Sequence, residues 1–461
     1  MGPRFIVPVV LLALTAAAHG ETNVLEIRVT GEHRLLPGDT AESAMQLAIV
    51  DGRQKARQAA LARLRGRADV TALRLTQVQL EAYSAVIVNV EAPSDRAGRS
   101  ASSVRVDVRA RVDAGQAVRQ MADLQKDQDV TGELLAAWTR IQRLEREIAA
   151  LTHQRASTAD AGARAEEQRR TVTALNVADL TARAYAALAR TEPVTVGGRA
   201  TPDAGRVRAR QLAEAALALS PDSPDARYLM GDWLFDDDPS GAEVEYRKAL
   251  AGDGQSSGGR VKLAAALRYQ GKLPEALAEL REAQRLDPAS ARAYRELGMI
   301  MRAQRSLPES AAAYREAVRL DPDSTEAHNG LAVVLANSGK LEEAVAEFRE
   351  MIRIDPDSAV GYYNLAYALA DLDRDVESAA ALREVIRINP DHYNARYNLG
   401  ELFRLEEKYD DSAAQFREYL RLAPDVPNNR RNITRARGFI RQFEDPDAPP
   451  VVETMVPRQT R

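Results

Sequence analysis

The chain has 461 residues, of which 45% are apolar, only 5% aromatic and 28% charged. That balance, with alanine and leucine filling the apolar share, is what long helices are made of, and the length implies more than one folding unit. With 63 basic and 67 acidic residues the net charge is −4, so overall charge recruits neither nucleic acid nor an anionic membrane and leaves that to local clusters. Cysteine is absent, which removes disulfides, thiolate nucleophiles and zinc–sulfur sites together.

Residues 1–4 carry one positive charge, at Arg4. Residues 5–18 are a short apolar run interrupted by Pro8, and Ala18 and Gly20 then place small residues two apart before polar Glu21. This is the three-part pattern of a secretory signal, with cleavage expected near Gly20 and the mature chain in the periplasm or cell envelope. The run falls short of the ~20 residues that span a bilayer, so an uncleaved anchor is the alternative. No later stretch is long and apolar enough to span a membrane.

Residues 21–113 read as a small α+β domain. Residues 24–30 alternate as a strand does, and after Pro37 and Gly38 either Asp39 or Thr40 can cap a helix running to about Arg65. Residues 84–91 are a β-branched run. Val104, Val106, Val108, Ala110 and Val112 alternate with Arg105, Asp107, Arg109 and Arg111, a half-buried strand. A polar loop over 93–102 separates these two runs, which are expected to form a hairpin. Residues 114–177 read as a long charged helix and linker, loosened at 156–163. Leu134, Trp138, Ile141, Leu144, Ile148 and Leu151 make an apolar stripe on it. The stripe serves either as a coiled-coil seam between two chains or as packing against the protein's own repeats. Strand, long helix and hairpin in this order resemble the N-terminal domain of flagellar assembly protein T.

From residue 257 the chain repeats. Asp287-Pro288, Asp321-Pro322, Asp355-Pro356, Asn389-Pro390 and Ala423-Pro424 fall 34 residues apart. Leu263, Leu297, Leu331, Leu365 and Leu399 keep the same register, and so does the small column Ala264, Gly298, Ala332, Ala366 and Gly400. Ala276, Ser310, Ala344, Ser378 and Ser412 are small again, whereas Leu280, Tyr314, Phe348, Leu382 and Phe416 are large. Apolar steps of three and four mark helices, and proline, which disfavours helix in the residue before it, ends each unit. Gly271 and Gly339 sit where two helices of a unit must turn. Small columns let those helices approach, and no hairpin buries its apolar face alone, so the units stack.

These columns resemble the tetratricopeptide repeat, whose period is ~34 residues. The resemblance implies a mainly α fold, a right-handed superhelical solenoid of helical hairpins, here preceded by the α+β domain and the long helix. About seven units are expected over 178–426, the first divergent, with a polar capping helix over 427–443 and a disordered tail over 444–461. The resemblance also implies a groove lined by the first helices. By register the groove residues are Arg268, Arg292, Arg295, Met299, Arg302, Asn329, Tyr363, Tyr367, Tyr397, Glu401 and Arg404. The arginines make one end basic and the tyrosines make the other aromatic, the two residue types that dominate interface energies. The expected ligand is a protein or peptide segment with an acidic portion and an apolar anchor.

Nothing points to chemistry. Among the histidines, His33, His153, His328 and His392 have no partner at metal-ligand spacing. The run from Asp236 to Gly241 opens like a calcium loop but places Arg247 where the closing carboxylate belongs. No catalytic residue, metal site or cofactor is expected. The function expected is a non-enzymatic binding scaffold in the periplasm or envelope. The alternative is a structural subunit that self-associates through the N-terminal domain and helix.

Overall fold

The structure is a computed structural model, and it describes residues 24–36, 38–87, 89–90, 98–100, 102–126, 128–153, 161–188, 195–196, 199–200 and 204–445. The segment expected to be a secretory signal, 1–20, and the expected tail from 446 on lie outside these residues. The chain divides into two compact units, 1–254 and 255–461.

The first unit opens with strand β1 (Val24–Arg34) and helix α1 (Ala41–Arg65). Thr40 caps α1 through a reciprocal pair: Ser43 N–H donates to Thr40 Oγ1 at 3.1 Å and Thr40 N–H to Ser43 Oγ at 2.9 Å. Helices α2 (Ala68–Ala72) and α3 (Gln77–Ile87) follow, then β2 (Asn89–Val90), β3 (Gly98–Arg99) and β4 (Ser103–Asp113). β4 is the centre of the sheet and pairs antiparallel with β1, β2 and β3. Its alternation is as regular as the sequence implies, with Val104, Val106, Val108, Ala110 and Val112 buried and the residues between them exposed. Gly31 lets β1 cross α1 closely, since a Cβ there would meet the backbone of Ala48 and Gly52.

The run 84–91 is corrected by the structure. It is helix as far as Ile87, and of its described residues Asn89 and Val90 pair with β4. Thr76 and Gln79 form a capping box, with Gln79 N–H donating to Thr76 Oγ1 at 3.2 Å and Thr76 N–H to Gln79 Oε1 at 2.9 Å. That cap nucleates a helix that the β-branched residues then follow, because Tyr83 and Ala85 are buried on its inner face.

The long helix is also corrected: it is divided into α4 (Ala114–Lys126) and α5 (Gln128–His153), followed by α6 (Ala161–Leu188). Thr131 Oγ1 donates to the Leu124 carbonyl across the break and bonds the Tyr83 hydroxyl at 3.0 Å. Leu134, Trp138, Ile141, Leu144 and Ile148 are buried in the same core as the sheet, α1 and α6. These five of the six stripe residues are therefore occupied within the chain. Arg57 of α1 pairs with Glu145 of α5 there, with side chains 11% and 10% exposed. Burial pushes the Glu145 carboxyl up, against the pull of Arg57. A two-residue pair, β5 (Thr195–Val196) and β6 (Arg199–Ala200), precedes α7 (Ala204–Leu219), which packs on α6. The hairpin of α8 (Pro224–Leu234) and α9 (Pro239–Gly252) ends the unit.

The described residues of the second unit form five helical hairpins and one further helix. The hairpins are α10 (Ser257–Tyr269) with α11 (Leu273–Leu286), α12 (Ala291–Ala303) with α13 (Leu307–Leu320), α14 (Thr325–Asn337) with α15 (Leu341–Ile354), α16 (Ala359–Asp371) with α17 (Asp375–Ile388), and α18 (Tyr393–Leu405) with α19 (Tyr409–Leu422). The last helix is α20 (Pro427–Glu444).

Each column of the repeat has a physical task. Ser256, Ser290, Ser324 and Ser358 cap the first helices, and His392 takes that place before α18, its Nδ1 accepting from Ala395 N–H at 3.1 Å. Ser310, Ser378 and Ser412 donate to the carbonyls of Gly298, Ala366 and Gly400 at 2.7–2.8 Å, tying the second helix to the first. Tyr314 fills the space beside Gly298, where a Cβ would come within 2.8 Å of the ring. The hairpin turn needs a left-handed residue, which is Gly271 and Gly339 in two units and Arg305, Asp373 and Glu407 in the others.

In three of the hairpins one further position carries a basic side chain that reaches the inter-unit turn, where Tyr294 and Tyr362 stand in two others. Arg396 donates to the Pro390 carbonyl at 2.9 Å, and in the first unit Arg227 donates to the Pro221 carbonyl and to Glu245, both at 2.8 Å. At the same place His328, 4% exposed, lies 3.0 Å from the Pro322 carbonyl through Nε2 and 2.7 Å from Glu347 through Nδ1. Neither partner can donate, so the ring serves both only as the imidazolium.

Candidate binding surface on the first helices

The residues singled out by register all lie on the first helices of the hairpins, and they form three groups. The first group is on α10 and α12. Arg268 donates to Glu296 at 3.1 Å, and Arg295, 9% exposed, lies 3.5 Å from Glu326. The basic end is thus partly neutralised by carboxylates of neighbouring first helices. Arg302 remains exposed, Arg292 and Met299 are half-buried, and Met299 packs against the core. Burial pushes the Tyr314 hydroxyl up behind these arginines and Glu296, which act on it in opposite senses.

The second group is centred on α16. Asn364 Nδ2 donates to Asn329 Oδ1 at 2.9 Å, which links two units. Tyr363 is half-buried, and its hydroxyl donates to Tyr367 and accepts from Asn398 Nδ2, both at 3.4 Å. Its ring stands edge-on to Tyr367 at 5.1 Å and lies 4.7 Å from His392. Burial, then the bond to Tyr367, pushes the Tyr363 hydroxyl far above its ordinary range, so it acts as a neutral donor and acceptor at every physiological pH. Tyr367 is 51% exposed, and Val360 on the same helix, which register reading had not singled out, is 58% exposed. The signal for Val360 was its column, shared with Arg292 and Glu326.

The third group is on α18. Glu401 is bridged by Arg404 at 3.2 Å and by Arg435 of α20 at 3.1 Å. Tyr397 is corrected: it is 8% exposed and packs on Tyr419 at 5.1 Å and Phe416 at 5.6 Å, a core residue under α19 and α20. An inward-facing position at the last unit is covered by the helix that ends the stack. Among the described residues, no group of three or more histidines or carboxylates is placed to hold a metal ion. No helix among them is long and apolar enough to cross a membrane.

Fold and surface together define a stacked helical-hairpin repeat protein whose first helices present charged and aromatic side chains. The tetratricopeptide repeat family model matches residues 261–325, 302–359 and 362–427, and this part of the chain is a run of tetratricopeptide repeats. Cellulose synthase operon protein C of Xanthomonas axonopodis pv. citri (strain 306) is 42% identical over 71 residues, 15% of this chain and 5% of that protein. This chain therefore spans only a small part of the length of that relative. Among solved structures it is similar to Pseudomonas aeruginosa pilF, at 20% identity and TM-score 0.41 over 49% of this chain and 99% of that one. It is also similar to YrrB, described as a TPR protein with an unusual peptide-binding site, at 19% identity and TM-score 0.36 over 42% of this chain and 97% of that one.

Proposed function

We propose that the repeats hold an extended segment of a partner protein across the first helices, without catalysing a reaction on it. The observation that carries this reading is the exposed apolar and aromatic strip of α16, Val360 and Tyr367, with Tyr363 held in place between Tyr367 and Asn398. Aromatic side chains with few rotamers contribute contact area at low entropic cost. The strip supplies an apolar anchor site, and Arg292 and Arg302 supply a place for acidic residues of the same segment. The division of residues 178–426 into about seven units, with 427–443 as their cap, belongs to the same proposal. So does export to the periplasm or envelope, which rests on residues 1–20. The test is capture of partners from the envelope fraction by the full chain and by a Tyr367→Ala, Arg302→Glu variant that retains its helical spectrum. Partners captured in equal amounts by both would sink the reading.

A further inference from the structure

Exposed apolar side chains gather at one edge of the last two hairpins. Leu405 is the last residue of α18 and Tyr409 the first of α19, and both are exposed. In the hairpin before them Val376, the second residue of α17, is 76% exposed, and Tyr367 stands one turn before the end of α16. All four lie toward the end of the hairpin where the first helix turns into the second. In the hairpin of α14 and α15 the columns of Leu405 and Val376 carry Asn337 and Glu342, so the repeat itself does not require apolar residues there. Exposed apolar side chains clustered in this way mark a surface that something covers. The end of α20 lies at the same edge. Phe439 is 6.3 Å from Tyr409 and stacks on Phe443 at 6.2 Å, and Glu444 is held by Arg417 of α19 at 2.7 Å. The chain therefore leaves α20 beside Tyr409, at the near end of this apolar path.

We propose that residues 446–461, which lie outside the described residues, fold back along this edge, so that the chain's own tail occupies the apolar anchor site until a partner segment displaces it. The displacement rests on the reading of Tyr367 given above. Spacing selects this occupant. The segment carries two apolar pairs, Val451-Val452 and Met455-Val456, among the prolines Pro446, Pro449, Pro450 and Pro457. Proline favours extended backbone, in which a chain advances ~3.1 Å per residue, so Val452 and Met455 are about 9 Å apart. Packed helices lie about 8–10 Å apart, which is one step from α18 to α16. Those two helices touch through Asn398 and Tyr363 at 3.4 Å. One apolar pair thus meets Leu405 and Tyr409 as the other meets Val376 and Tyr367. Reach is sufficient as well: the chain between Asp445 and Val451 extends to about 19 Å, more than the single step from α20 to α18. Arg435 and Glu401 bridge that step at 3.1 Å. Charge agrees, since the charged residues of the segment beyond Glu453 are Arg458 and Arg461, and the far end of the path is flanked by exposed Asp371 and Asp373. A tether this short holds the segment at an effective concentration of order mM, where weak apolar contacts suffice, and a second copy has no such advantage.

The chain has no cysteine, so one chosen pair can be cross-linked without interference. The experiment oxidises the full chain carrying Asp371→Cys and Thr454→Cys in a glutathione buffer, beside a control carrying Arg387→Cys and Thr454→Cys. Asp371 sits on the path, and Arg387 is exposed at the other end of α17. The first pair closes an intramolecular disulfide about tenfold faster than the second. Adding Val451→Asp and Val452→Asp to the first pair removes that advantage and leaves the helical spectrum unchanged. Equal rates for the two pairs, or an advantage that survives the aspartates, overturn the proposal. Disulfides formed between chains rather than within one overturn it in favour of a second copy. The reading of a partner segment fails separately: capture that ignores Tyr367 and Arg302 sinks it whatever the disulfides show.

Discussion

His328 offers the sharpest test of how the repeats are held together. Its ring lies between two acceptors, the Pro322 carbonyl and the Glu347 carboxylate, with Glu350 adding a second negative charge nearby. Burial alone would lower its pKa, but the bonds to Glu347 and Pro322 and the two carboxylates raise it above the ordinary value. A histidine raised in the folded state contributes stability that is fully present below its unfolded pKa of about 6.5 and is lost as pH rises through the folded value. His328→Gln removes the ionised partner of Glu347. Hydrogen bonds to charged groups contribute about 1.5–3 kcal/mol each, and Glu347, 27% exposed, recovers part of that from water, so the cost at pH ~6 is about 2 kcal/mol. His328→Arg supplies the residue that the same column already uses at Arg227 and Arg396, and it stays within about 1 kcal/mol of the parent. Urea denaturation of the full chain at pH about 6 and about 8.5 reads both variants. The parent loses stability toward alkaline pH, the glutamine variant starts lower and loses less, and the arginine variant is flat. Nitrogen-15 spectra of labelled histidine give the direct view, with both ring nitrogens of His328 protonated near neutrality. A ring that titrates at or below the ordinary value, or a glutamine variant with the parent's pH slope, refutes the reasoning.

Other outcomes follow from the same columns. His392 caps α18 as an acceptor, and burial lowers its pKa, so its contribution is present above the ordinary pKa and fades as pH falls below it; His392→Ser removes that acid-side loss in the same denaturation series. Gly298→Ala drives a Cβ into the ring of Tyr314 and costs about 1–3 kcal/mol, read as a lowered urea midpoint with unchanged slope. Ser378→Ala leaves the Ala366 carbonyl without its side-chain donor and costs about 1 kcal/mol by thermal melting. Glu407→Gly relieves a left-handed non-glycine turn and raises stability by up to about 1 kcal/mol; a lowered midpoint would show that the side chain matters more than the backbone there.

What the sequence revealed follows from how local each cause is. The 34-residue period encodes caps, small columns, turn residues and prolines at fixed offsets, so hairpin boundaries were legible, and with them the helices that carry each column. Run 84–91 misled because β-branched residues mark half-buried surfaces of either kind, and the cap at Thr76 lies eight residues upstream. Tyr397 misled because a column shows which way a residue points but not which element covers the last unit. The neutralised arginines were hidden for another reason: Arg268–Glu296 crosses from one unit to the next at a spacing of 28. Arg315–Glu343 and Arg349–Glu377 repeat that spacing, so the bridging rule is written in the sequence at an interval other than the repeat's own.

The outer edge of β1 has its own consequence. Arg63 and Lys55 of α1 donate to the carbonyls of Glu26 and Thr30 at 3.0 and 3.3 Å, and Asp51 accepts from Glu32 N–H at 2.8 Å. Three helix side chains thus stand where a neighbouring strand's backbone would lie. An eleven-residue strand at a sheet edge would otherwise invite sheet growth by addition of another chain. Crowding this domain at high concentration should therefore leave it dispersed, whereas stripping Lys55, Arg63 and Asp51 of their polar ends would turn the same strand into a seed for fibres.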